Sequence, residues 1–86
     1  MKHLNNWSVR SDPAPYTAPE LRRIYLAGDV DGKPRTTSRV ASVKGCVVTT
    51  RSGSIYLLKD PAPAYLAWMA ENGIEFDPNN PIKLRG

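Results

Sequence analysis

Two short turn signals separate three strand-like runs in the middle of this chain, and that arrangement limits the fold more than any other feature. TTSRVASV gives way to CVVTTR through Lys44-Gly45, and CVVTTR gives way to SIYLLK through Ser52-Gly53. Thr, Val, Ile and Tyr fit a pleated, half-buried surface, and two-residue connections containing glycine are hairpin loops. Three consecutive antiparallel strands are expected, at about 37–43, 46–51 and 54–59. With Ser52-Gly53 as the turn, Thr50 faces Ile55, Thr49 faces Tyr56 and Val48 faces Leu57. Side chains alternate between faces. Cys46, Val48, Ile55 and Leu57 then share the core side, and Val47, Thr49, Arg51, Tyr56 and Leu58 share the other.

The flanking segments supply the rest of the fold. LRRIYLA, residues 21–27, fits two templates. Thr17 and Glu20 have capping-box spacing, Leu21, Ile24 and Tyr25 make a helical stripe, and Gly28 would end it. The Ile24-Tyr25-Leu26 run favours a strand, and we adopt that reading. GDVDGKPR, residues 28–35, reads as a loop. Upstream, Pro13, Pro15 and Pro19 make residues 11–19 an extended arm or linker. Residues 4–10 add an edge strand, with Trp7 docking on the domain because a buried indole is a large gain for a small core. Downstream, Asp60 suits an N-cap and Pro61 a first helical turn. Tyr65, Trp68 and Met69 form the apolar stripe, and Asn72-Gly73 is the stop, with Ile74 packing back on the last turn. The tail is extended and anchored by Phe76 and Ile82.

The expected fold is α+β: a small antiparallel sheet or partly closed barrel of four or five strands with one C-terminal helix. It divides into an arm and linker (1–20), a sheet (21–59), a helix (60–73) and a tail (74–86). Eighty-six residues make one domain with a small core, a size at which an oligomer or a partner often adds stability. The chain is 41% apolar and 23% charged, as ordinary globular domains are. One cysteine excludes an internal disulfide and a multi-cysteine zinc site. No apolar run approaches the roughly 20 residues that span a bilayer. MKHLNNWSVRSDPAPY has no apolar h-region, so no secretory signal is expected.

No chemistry-bearing motif survives comparison with its structural alternative. DVDGK resembles the start of a calcium loop, but the twelfth position from Asp29 is Val40 and not Glu, so it reads as a turn. His3 is a lone histidine with no cysteine nearby, and Cys46 begins a strand with no basic partner to activate it. Ser52-Gly53-Ser54 is a turn and not a nucleophile elbow. The scattered glycines make no phosphate cradle, and Asp29, Asp31 and Asp60 have turn or cap roles. Neither an enzyme nor a bound cofactor is expected. The basic residues remain: Arg22, Arg23, Lys33, Arg35, Arg39, Lys44, Arg51 and Lys59, interleaved with Tyr25 and Tyr56. A β-surface of this kind meets a protein partner through arginine and tyrosine anchors, or single-stranded nucleic acid through phosphate contacts and stacking.

Thr36, Thr37, Ser38, Gly45, Thr50, Ser52, Gly53, Ser54, Tyr56, Leu58, Asp60 and Pro61 form a T-T-S, glycine-turn, T-x-S-G-S-x-Y-x-L, Asp-Pro series. This series resembles small proteins of phages, prophages and mobile elements, among which anti-CRISPR proteins are the best-known group. The resemblance covers half the chain and transfers no active residue. It implies a non-catalytic protein in the host cytoplasm that binds a host complex, a CRISPR surveillance complex among the candidates. The alternative is a small basic nucleic-acid-binding module. No membrane partner is expected.

Overall fold

The computed structural model describes residues 1–12, 14–19 and 23–82. Five strands and one helix follow in order: β1 (Lys2–Arg10), β2 (Tyr25–Val30), β3 (Lys33–Lys44), β4 (Val47–Thr50), β5 (Ile55–Leu58) and α1 (Pro63–Glu71). Each strand pairs antiparallel with the next, and β5 comes round to pair with β1, so the strands form a closed ring. The closing ladder runs Lys2↔Tyr56, His3↔Leu57 and Leu4↔Leu58, and it is parallel. A meander with an odd number of strands can close in no other sense. The expected edge strand is thus flanked on both sides, and the sheet is antiparallel except at this seam.

The first hairpin begins where a loop was expected. Asp31 (φ 52°) and Gly32 (φ 77°) are the two central residues of its turn, and Val30 pairs with Lys33. Two positive φ values are what a type I′ turn requires, and Asp-Gly is one of its preferred pairs. The remainder of 28–35 is strand. The helical alternative for 21–27 does not form over its described part, since Tyr25–Ala27 lie in β2. Glu20, Leu21 and Arg22 lie outside the described residues. The second hairpin turns through Gly45-Cys46, with Lys44 opposite Val47.

The third hairpin corrects the expected register. Val48 pairs with Tyr56 and Thr49 with Ile55. The loop has three residues, closed by Thr50 N–H donating to Ser54 C=O (2.9 Å) and Gly53 N–H to Thr50 C=O (2.9 Å). Arg51 joins the loop, and the pairing moves by one residue. Because the side-chain period is two, that slip turns the whole strand over. Tyr56 and Leu58 are buried, while Ile55 is 43% exposed and Leu57 half-buried.

Bulges let two strands serve both halves of the ring. In β1 the register shifts between Asn5 and Ser8, with Asn6 at φ 53°. This extra residue is why Leu4 and Trp7, three apart, both point inward. In β3 one shift lies opposite Tyr25/Ala27 and another between Val40 and Ser42. At the first, the Leu26 N–H finds the buried Thr37 hydroxyl (3.0 Å) instead of a backbone carbonyl.

The core holds Leu4, Trp7, Val9, Ile24, Leu26, Val48, Tyr56, Leu58, Tyr65, Met69 and Ile82. The helix packs against β1 and contributes Tyr65 and Met69 to the core. It starts at Pro63 with Ala62 as N-cap, not at Asp60. Residues 59–62 are held extended beside β1: Lys59 N–H donates to Leu4 C=O (2.9 Å) and Ala62 N–H to Trp7 C=O (2.8 Å). Asp60 and Pro61 are therefore unavailable to the helix, and Pro63 supplies the first-turn proline. The C-terminus ends as expected. Gly73 (φ 70°) follows Asn72, with Ile74 N–H donating to Met69 C=O (2.8 Å) and Gly73 N–H to Ala70 C=O (3.3 Å).

The proline-rich arm is docked and does not act as a free linker. Thr17 and Pro19 are buried, Thr17 N–H donates to Val9 C=O (3.0 Å), and Tyr16 packs on Tyr65 with ring centroids 5.6 Å apart. Tyr65 Oη donates to Thr17 C=O (3.1 Å). Burial raises the Tyr65 phenol well above its ordinary value. The folded state thus keeps Tyr65 neutral, while the unfolded chain ionises near pH 10. Stability is unaffected below that pH and falls as pH rises through it. Tyr65→Phe should cost about 1 kcal/mol at pH 7. Urea midpoints between pH 7 and 11 should fall more steeply for the native chain than for the variant. Parallel curves would refute the assignment.

Candidate interaction surface

Of the expected contact residues, Arg23, Lys33, Arg35, Arg39, Lys44 and Arg51 are exposed. Arg22 lies outside the described residues. Tyr56 departs from expectation: it is 2% exposed and belongs to the core, with the Lys2 ammonium 5.8 Å from its ring centroid. The register slip explains this, because Tyr56 faces inward beside Val48.

The basic side chains spread along β3 instead of meeting at one point. Lys33 and Arg35 follow the Asp31-Gly32 turn, opposite Val30 and Gly28. Lys44 ends the strand opposite Val47. The bend between them gathers the closest set. Arg39 lies opposite Tyr25, and its carbonyl accepts the Arg51 N–H (2.9 Å). The β4–β5 loop is pinned there by hydroxyls. Ser38 Oγ lies 3.0 Å from Ser52 Oγ, and Thr50 Oγ1 lies 2.9 Å from the same atom. The Ser-Gly-Ser segment thus holds Arg51 beside Arg39. Tyr25, half-buried, is the described aromatic on this bend.

Sequence reasoning missed Arg10. The Arg10 guanidinium lies 5.6 Å from the Tyr16 ring centroid, and Arg10 Nε donates to Ser8 Oγ (3.2 Å). Arg10 and Arg35 line an open groove of about 440 Å³ that also contains Asp29 and the start of α1. A distribution of charge would have pointed to the surface more directly than the individual residues. From Gly32 to Lys59 the chain has six Lys and Arg and no Asp or Glu. All eight acids lie outside that run, with the other six basic residues. The modest net charge of +4 conceals a strongly basic β3–β5 segment and a mildly acidic remainder.

Among the described residues, no three His, Cys, Asp or Glu side chains are grouped so as to hold a metal ion. Cys46 is half-buried, and its Sγ lies 3.4 Å from the Pro78 carbonyl that it can donate to. None of the described helices is long and apolar enough to cross a membrane. Comparison with family models, curated proteins and solved structures finds no match to this chain.

Proposed function

We propose that this chain is a non-catalytic binding protein that inhibits a host protein complex by occluding one of its functional surfaces, and that its working face is the acid-free β3–β5 segment. The phage or mobile-element setting, with a CRISPR surveillance complex as one candidate target, comes from the hairpin resemblance. The observation that carries a protein partner is the inward turn of Tyr56. A single-strand binder pairs its cations with exposed rings on which bases stack, each worth about 1–3 kcal/mol. Here the Arg39–Arg51 bend has the cations but only the half-buried Tyr25 ring. Charge without stacking suits a partner surface bearing carboxylates, where complementarity sets specificity and on-rate.

Direct nucleic-acid binding is the second reading, favoured by the same exposed arginines acting on phosphates. Fluorescence anisotropy with labelled single- and double-stranded DNA and RNA, at low and physiological salt, separates the two. The proposal expects no binding tighter than about 100 µM at physiological salt, as for weak non-specific attraction. It also expects recovery of one assembly from host lysate, lost at least tenfold in the doubly substituted Arg39→Glu/Arg51→Glu protein. Micromolar binding to free nucleic acid that weakens with salt and with those substitutions would replace it with the second reading.

A further inference from the structure

Three aliphatic side chains of the ring do not belong to its core. Val47, Ile55 and Leu57 alternate with the buried Val48, Tyr56 and Leu58, so they lie on the outer face of β4 and β5. Cross-strand pairing brings them together: Val47 stands opposite Leu57, and Ile55 is in the next pair on the same face, opposite Thr49. None of the three is among the half-buried apolar residues that pack against the core. They form a short apolar strip facing outward.

Its surroundings identify the occupant. Lys44 pairs with Val47 on one side and His3 with Leu57 on the other. Exposed Arg51 and Lys59 stand beyond the two ends, and the run that builds β3–β5 contains no acid. We propose that this strip docks an acidic amphipathic segment of a partner protein, with apolar side chains on Val47, Ile55 and Leu57 and flanking carboxylates on the basic rim. The inference deepens the protein-partner reading above and rests on it. An apolar centre with a polar rim is the usual anatomy of a protein interface. Aliphatic side chains offer neither hydrogen bonds nor stacking to a nucleic acid. A second copy of this chain would bring the same cations against this rim, and like charges opposed across an interface are costly. The closed ring leaves no free strand edge here, so the partner is held by side chains and not by strand addition.

The probe is a fluorescein-labelled amphipathic helical peptide with leucines at i, i+3, i+4 and i+7 and glutamates elsewhere. Controls are a Lys-for-Glu version and a scramble of the same composition. Titration into the ¹⁵N-labelled full chain should move the amide signals of Val47, Thr49, Ile55 and Leu57. Anisotropy should give an affinity at least tenfold tighter than either control. Ile55→Asp should abolish binding while leaving the circular dichroism spectrum and melting curve of the free protein unchanged. Four results would overturn the proposal: no shifts at the strip, equal binding of all three peptides, sedimentation as a dimer that Ile55→Asp dissociates, or co-sedimentation with phosphatidylserine vesicles through the same residue. A host assembly still captured by the Ile55→Asp protein but lost by Arg39→Glu/Arg51→Glu would remove the strip and leave the proposed function intact.

Discussion

Replacing Trp7 with alanine should unfold most of the population near physiological temperature. The indole is 1% exposed, packs at ring-centroid distances of 6.0 Å from Tyr65 and 6.3 Å from Phe76, and donates Nε1–H to the Lys59 carbonyl at 3.0 Å. It therefore joins β1, the helix, the tail and the segment leading out of β5. Truncating a buried aromatic to alanine costs about 3–5 kcal/mol. Losing the Lys59 hydrogen bond adds about 1 kcal/mol. A domain of this size holds on the order of 4–13 kcal/mol in total. Each kcal/mol lowers Tm by about 4–8 °C in this size range, so a fall of about 15–50 °C is expected. Thermal melts followed by circular dichroism check it, with Trp7→Phe recovering part of the loss. A fall below about 5 °C would mean that the neighbours collapse to fill the space, against the packing density of protein interiors.

Gly28→Ala should be the most damaging single-methyl addition. A Cβ at Gly28 would lie 2.7 Å from the Asn5 carbonyl oxygen and 3.0 Å from Trp7 Cα. Both are backbone atoms of the β1 bulge, so no rotamer change relieves the clash. Overpacking of this kind costs about 1–3 kcal/mol. Here the bulge must widen, which also disturbs the inward turn of Trp7. Gly53→Ala is the control. Its φ of 87° strains an alanine, but no atom lies within 4 Å, so only the conformational cost of about 1–2 kcal/mol applies. Urea midpoints should place the Gly28 variant well below the Gly53 variant; the reverse order would show that β1 yields without cost.

The strand-turn-strand content and the helix were legible because their signals are local. Turn glycines, β-branched runs and the Asn72-Gly73 stop each act within a few residues. What failed depended on neighbours far away in sequence. Asp60 and Pro61 have good helix-start chemistry, yet β1 holds them extended, and Pro63 takes the part instead. The orientation of Tyr56 turned on whether the third loop has two or three residues, a choice that moves Arg51 and inverts a strand. Asp31-Gly32 was readable as a type I′ pair, but the surrounding charges and Pro34 disguised two strand ends as a loop. On the surface, the arginines named from the sequence are exposed, apart from Arg22, which lies outside the described residues. Of the two tyrosines interleaved with them, Tyr56 turns into the core and Tyr25 is half-buried beside Arg39. Periodicity alone could not reveal this, since both faces of β4 and β5 are mostly apolar.

The parallel seam between β1 and β5 ties the beginning of the chain to residues about fifty positions later. Bringing such distant ends together costs on the order of 3 kcal/mol of chain entropy before any contact repays it. During synthesis β1 emerges first and can pair only with β2 until β5 and the 59–62 segment are made. The middle hairpins can assemble as they appear, while Trp7 must wait for Lys59, Tyr65 and Phe76. In this protein β1 is made before its closing partner yet sealed after the middle hairpins, and the ring acquires its final stability only once the residues through Phe76 are in place.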